Sequence, residues 1–255
     1  MIVRFLYCVY QLFVALPITI VATIVTATAV GLGMTFGNGH FWGYYPGHWW
    51  AKVVTRVFLL PVTVEGRENI ENNCPYVFVA NHQGAFDIFL IFGFLGRNFK
   101  WMMKWQLRKM PFVGYACHRS HQIFVDKRGP SKIKATYDAA RKILSDGGYC
   151  VVVFPEGART FTGHLGLFRK GAFMLADELQ LPVVPLTING SFDVMPRTRS
   201  WRFVRWHPLR LTIHQPIYPI GEGSQNVQAT MRQAYDSVMS SLDEQYQGYV
   251  ENPDQ

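Results

Sequence analysis

The feature that most limits the architecture is a long stretch without charge. From Leu6 to Trp50 the chain has no Asp, Glu, Lys or Arg. Leu12 to Phe36 is apolar apart from threonines, glycines and Pro17, and about 20 such residues suffice to cross the roughly 30 Å hydrocarbon layer of a bilayer. A second apolar piece, Phe41 to Leu60, carries Phe41-Trp42, Tyr44-Tyr45 and Trp49-Trp50, the aromatic composition of a lipid headgroup interface. Two arrangements are open: one span over residues 5–36, or a hairpin of both pieces set into a single leaflet. A removable signal peptide is disfavoured, because the run is too long and no small-residue cleavage site is evident. Lys52, Arg56 and Arg67 outnumber Arg4, which places the remainder of a spanning chain on the cytoplasmic side. The expected organisation is a membrane-embedded helical segment over residues 1–58 and a separate domain over residues 59–255.

A net charge of +8 predicts an anionic partner, whether lipid headgroups, a phosphorylated substrate or nucleic acid. No nucleic-acid motif accompanies the charge, so the bilayer is the expected partner. Arg197, Arg199, Arg202, Arg205 and Arg210 interleave with Trp201, Phe203 and Trp206, and this strip is expected to rest on anionic lipid. Cys8, Cys74, Cys117 and Cys150 are scattered, without metal-ligand or disulfide spacing, and read as reduced thiols. Cys117-His118-Arg119-Ser120-His121 has no local carboxylate, and no metal site is expected.

After about residue 60 the periodicity changes. Strands are expected over Leu59–Glu65, Tyr76–Ala80, Phe99–Met103, His121–Val125, Tyr149–Phe154, Pro182–Ile188 and Leu209–His214. Helices are expected over Ile88–Leu95, Lys104–Met110, Ser131–Ser145, Phe168–Glu178 and Gln225–Gln245. Residues 246–255 read as a polar, frayed end. Strands alternating with helices, some strands apolar on both faces, imply an α/β fold: a mixed sheet flanked by helices.

Within this pattern, Asn81-His82-Gln83-Gly84-Ala85-Phe86-Asp87 follows a buried strand. Five residues along a regular helix would leave His82 and Asp87 roughly 140° apart. They meet only across a turn, for which Gly84 offers a free backbone. A strand ending at His82, a turn and Asp87 in a first helical turn would suit a general base and its orienting carboxylate.

Four blocks in order resemble the glycerolipid acyltransferase family, the 1-acylglycerol-3-phosphate acyltransferases. They are Asn81 to Asp87; Ile123-Phe124-Val125-Asp126-Lys127-Arg128; Phe154-Pro155-Glu156-Gly157-Ala158-Arg159-Thr160; and Leu181-Pro182-Val183-Val184-Pro185-Leu186. Lys104 with Leu107, Pro111 and Gly114, and the run Phe168-Arg169-Lys170-Gly171-Ala172, also look like that family. The resemblance covers roughly residues 60–190. It implies transfer of a fatty acyl chain from acyl-CoA or acyl-carrier protein to the 2-hydroxyl of lysophosphatidic acid, giving phosphatidic acid, with no further cofactor. It makes His82 the general base and Asp87 its orienter. By the same resemblance Arg159 and Gly157 receive the acceptor's phosphate, Glu156 holds the glycerol part or positions Arg159, and Lys104, Lys127 and Arg128 add positive charge. Phe154 and the Leu181–Leu186 block read as core and acyl-channel lining, and the amides around Gly84 as oxyanion donors. Gly84, Ala85, Lys127 and Ala158 depart from the residues more frequent in the family, which leaves the acceptor open. Other acceptors (glycerol 3-phosphate, another lysolipid) and a non-catalytic lipid-binding role are the alternatives. Oligomeric state is not legible.

Overall fold

The apolar runs pair into one seven-stranded sheet in this computed structural model, which describes residues 2–126, 128–145, 149–198 and 202–251. The strands are β1 (Val62–Glu65), β2 (Val77–Ala80), β3 (Phe99–Lys104), β4 (Ile123–Val125), β5 (Cys150–Val153), β6 (Val183–Asn189) and β7 (Leu209–Ile213). Their spatial order is β1-β7-β6-β2-β5-β3-β4. β6, β2, β5, β3 and β4 run parallel, while β7 pairs antiparallel with β6 and carries β1 parallel to itself. The sheet is therefore mixed, as expected, and each expected strand is present with ends shifted by a few residues.

β2 and β6 lie at the centre, and every residue of both is buried. That burial on two faces is why these strands read as largely apolar runs rather than alternating ones. Helices Asp87–Phe94 and Tyr45–Val57 pack on one face, and Pro130–Ser145, Gly171–Glu178 and Ser224–Ser240 cover the other. Because β2, β5 and β3 are parallel neighbours, the loops after them open at the same edge of the sheet.

Three elements differ from expectation. Lys104 closes β3, and only a 3₁₀ turn, Trp105–Lys109, follows it. Phe112, at φ 58°, ψ −57°, then reverses the chain into an unanticipated helix, Val113–Arg119, because Pro111 ends one element and a γ-type turn starts the next. The last helix stops at Ser240. Beyond it, Tyr246 is buried and its hydroxyl donates to Asp193 Oδ1 at 2.9 Å, so the expected fraying does not begin at residue 246.

The N-terminal segment forms one helix from Ile2 to Phe36, with a π-helical turn at Gln11–Ala15. It is long and apolar enough to cross a membrane by length and composition. Thr19, Thr23, Thr28 and Thr35 each donate to the carbonyl four residues back, which hides their hydroxyls along an apolar helix. The helix lies against the rest of the protein along its length. Tyr7 and Tyr10 donate to the carbonyls of Phe58 and Val57, Trp50 Nε1 donates to Thr23, and the Tyr115 ring packs on Gly31. The π turn aims Gln11 inward. Its amide donates to the Val204 carbonyl at 2.8 Å and accepts from the Val204 N–H at 2.9 Å. Gln11→Leu would leave two buried backbone groups unpaired, each costing about 1–3 kcal/mol. A drop in stability of about 2–6 kcal/mol in detergent-solubilised protein is the expected result of denaturant titration.

Candidate active site

The end of β2 is pinned before the turn begins. Asn81 donates to the Ile188 carbonyl at 2.9 Å and accepts from the Ile188 N–H at 2.7 Å, tying the strand end to β6. The chain then turns, and Asp87 opens the next helix. His82 Nδ1 and Asp87 Oδ2 lie 2.7 Å apart across this turn, and the Gly84 N–H donates to the same carboxylate oxygen at 3.0 Å. Asp87 is fully buried, whereas the His82 side chain keeps 15% of its surface open. A carboxylate can only accept, so Nδ1 carries the proton and Nε2 is left as a basic lone pair.

Gly84 is required for space rather than for a left-handed backbone. A Cβ there would lie 2.3 Å from the Ser191 carbonyl oxygen. The Gly84 amide serves Asp87, and the Ala85 amide donates to the Met195 carbonyl at 3.1 Å. Neither of these two amides is free to stabilise an oxyanion.

The loop after β5 supplies the rest. Phe154 stacks on the His82 ring at 3.9 Å between centroids, and Trp101 stacks on Phe154 at 5.5 Å. Phe154 is thus a platform for the imidazole, a closer role than channel lining. Glu156 is 2% exposed. Its Oε1 accepts from the His82 N–H at 2.6 Å and its Oε2 from the Gly166 N–H at 2.8 Å. Burial pushes its carboxyl up to about 8, with the two N–H bonds opposing the shift. With both oxygens engaged inside the protein, Glu156 holds two loops together and makes no hydrogen bond or ion pair to Arg159.

Gly157 has a left-handed backbone at φ 81°, a conformation open to glycine at little cost. Two residues on, half-buried Arg159 sits near Asp87, and burial lowers its pKa from the ordinary guanidinium range. Lys104, at the end of β3, is lowered first by burial and then by Arg197, Arg169 and Arg159, so these four cations lie close enough to repel one another, with Arg159 also near Asp87. Arg128 is elsewhere in charge terms: it pairs with Asp126 at 2.6 Å, with 66% of its side chain exposed. Lys127 lies outside the described residues.

Arg169 and Arg197 complete the cluster, and neither stood out as a site residue in the sequence. The Arg169 N–H donates to the Pro155 carbonyl at 3.0 Å, and its guanidinium lies over Gly157. Arg197 is brought in by a bridge between Gly84 and Pro196. The basic-aromatic strip is consequently not one surface. Arg197 turns inward, Arg210 pairs with Asp243 at 2.8 Å, and Arg199 and Trp201 lie outside the described residues.

Comparison with known proteins agrees with this arrangement. The family model described as Acyltransferase matches residues 61–189. A chloroplastic 1-acyl-sn-glycerol-3-phosphate acyltransferase of Brassica napus is 32% identical over 177 residues, covering 67% of this chain and 50% of its own length. The 1-acyl-sn-glycerol-3-phosphate acyltransferase of Saccharomyces cerevisiae is 30% identical over 164 residues, covering 63% and 54%. The chain thus spans about half the length of the curated relatives it matches. The crystal structure of the 1-acyl-sn-glycerophosphate (LPA) acyltransferase PlsC from Thermotoga maritima superposes with a TM-score of 0.74 at 26% identity, covering 93% of each chain. With the family model spanning half the sequence and the sheet and its loops matching a solved member over nearly the whole chain, this protein belongs to the acyltransferase family.

Proposed function

We propose that the chain transfers a fatty acyl group from an acyl-CoA or acyl-carrier-protein thioester to the 2-hydroxyl of lysophosphatidic acid, forming phosphatidic acid. The observation that carries this reading is the 2.7 Å contact of His82 with Asp87, set beside a cluster of cations. His82 Nε2 takes the proton of the acceptor hydroxyl as its oxygen attacks the thioester carbonyl. The new C–O bond forms, the C–S bond breaks, and the imidazolium returns the proton to the leaving thiolate. Asp87 steadies the imidazolium by charge, and the Phe154 ring beneath it adds a cation–π contribution. Arg159 and Lys104 grip the phosphate of the acceptor. No metal ion or added cofactor takes part.

The deciding assay supplies one acyl-CoA to the purified protein with lysophosphatidic acid, glycerol 3-phosphate or lysophosphatidylcholine. Thiol release should depend on lysophosphatidic acid and match phosphatidic acid formed. Equal rates with glycerol 3-phosphate, or release without acceptor, would contradict the reading.

For the membrane we propose the in-leaflet hairpin, with the sheet on the cytoplasmic face. What supports it is the packing of the Ile2–Phe36 helix against the rest of the protein from Tyr7 to Gly31. A helix crossing the bilayer could not keep those partners without taking them into the hydrocarbon. Its exposed apolar side continues onto Met110, Phe112 and Tyr115, flanked by exposed Arg108 and Lys109. Tags placed at the two chain ends are expected on the same side of the membrane, as read by protease protection. Opposite sides would establish a span.

A further inference from the structure

We propose that Arg197, with Arg169 beside it, completes the phosphate site of the acceptor and selects phosphomonoester over phosphodiester lysolipids. This deepens the transferase reading above and rests on it.

Arg197 owes its place to the fold rather than to a motif. The antiparallel bridge between Gly84 and Pro196, with the Ala85 N–H donating to the Met195 carbonyl at 3.1 Å, lays this segment along the His82–Asp87 turn. The next residue is Arg197. Its Nη1 donates to the Arg159 carbonyl at 3.1 Å, and its guanidinium lies 4.0 Å from the centroid of the Phe161 ring. A half-buried guanidinium held from two sides is pre-organised, and it has donors left over. Arg169 reaches the same loop over Gly157, where an added Cβ would lie 3.3 Å from its guanidinium carbon.

Charge is the decisive point. Among the described residues, none of Lys104, Arg159, Arg169 and Arg197 forms an ion pair with a carboxylate. Cations elsewhere in the chain do: Arg128 with Asp126, Arg141 with Glu178 and Arg210 with Asp243. Of the two carboxylates near the cluster, Asp87 accepts from His82 and Gly84 through Oδ2, and Glu156 accepts from two backbone N–H groups. Burial and mutual repulsion depress both Lys104 and Arg159, so the cluster is held together against its own charge. Such a set is relieved by an anion of high charge density. A phosphomonoester carries about −1.5 to −2 at neutral pH, with its second ionisation near pH 6. A phosphodiester headgroup carries a single charge and offers fewer free oxygens. The surplus cations therefore favour the monoester.

The test compares wild type, Arg197→Gln and Arg197→Lys with one acyl-CoA donor and two acceptors, lysophosphatidic acid and lysophosphatidylglycerol. Wild-type transfer to lysophosphatidic acid is measured first. Its absence would remove the transferase reading and this inference with it. Given that activity, Arg197→Gln should raise KM for lysophosphatidic acid about 10–100-fold, as loss of a charge-assisted hydrogen bond implies. The value of kcat should stay within a few-fold, and KM for the diester should move far less. Arg197→Lys should recover part of the loss. In wild type, KM for lysophosphatidic acid should also climb as pH falls through the second ionisation of its phosphate, and this rise should flatten in Arg197→Gln. An unmoved KM, an equal penalty on both acceptors, or a fall in kcat alone that Lys does not rescue would assign Arg197 to structure and overturn the proposal.

Discussion

Replacing His82 by Ala is expected to lower phosphatidic acid formation by about 10²–10⁴-fold, the usual worth of a positioned base. Membrane association should persist, because the exposed apolar side chains of the N-terminal helix do not include His82. The variant leaves Asp87 buried with only the Gly84 N–H on Oδ2, so its fold should be verified by circular dichroism beside the rate. Asp87→Asn makes the sharper companion. The Gly84 N–H and His82 Nδ1 meet the same carboxylate oxygen, so an asparagine oxygen in that place keeps both bonds and removes the charge that steadies the imidazolium. A fall in rate, in a variant whose fold is verified by circular dichroism, is the expected result of acyl-transfer kinetics. Near wild-type rates in His82→Ala would exclude His82 as the base, and near wild-type rates in Asp87→Asn would exclude Asp87 as the group that steadies it.

The second large effect falls on Glu156. Glu156→Ala would strip acceptors from the N–H groups of His82 and Gly166. At about 1–3 kcal/mol for each buried donor, the loss is about 2–6 kcal/mol, a large share of the roughly 5–15 kcal/mol that holds a domain folded. The His82 turn would loosen with it, so activity should fall even at temperatures where the variant is folded. Glu156 also has a pH signature. Its folded value of about 8 lies above the ordinary 4.5 of a free glutamate. Between those values the native protein keeps a proton that the unfolded chain has released. Its stability contribution is therefore complete below the lower value and is lost as pH rises through the upper one, at up to about 1.4 kcal/mol per pH unit inside the window. Denaturant midpoints across that window should fall with pH in wild type and flatten in Glu156→Gln. A wild-type curve rising with pH would show the carboxylate to be the favoured form.

These expectations rest on features of unequal visibility in the sequence. The central strands were legible because burial on both faces leaves largely apolar runs, as in β2 and β5. The His82–Asp87 pair was legible because its geometry is local: a strand end, a turn and a helix start within six residues. Arg197 was not, since a bridge between residues 84 and 196 carries it in from far along the chain. Glu156 was visible as a site residue, but its direction was not. That direction is set by Gly166 and by the His82 amide 74 positions away. The helix Val113–Arg119 was hidden because Pro111 reads as a stop, and the strained turn at Phe112 that restarts the chain has no local signature.

The claim at the centre is a direct attack of the acceptor oxygen on the thioester, assisted by His82 and without an acyl-enzyme. Mixing the full-length protein with radiolabelled acyl-CoA alone, quenching, and then repeating with lysophosphatidic acid present tests it most directly. The account predicts no protein-bound label and no thiol release until the acceptor is added, then one thiol for each phosphatidic acid formed. Label accumulating on the protein before the acceptor arrives, with thiol released in equal amount, would contradict it.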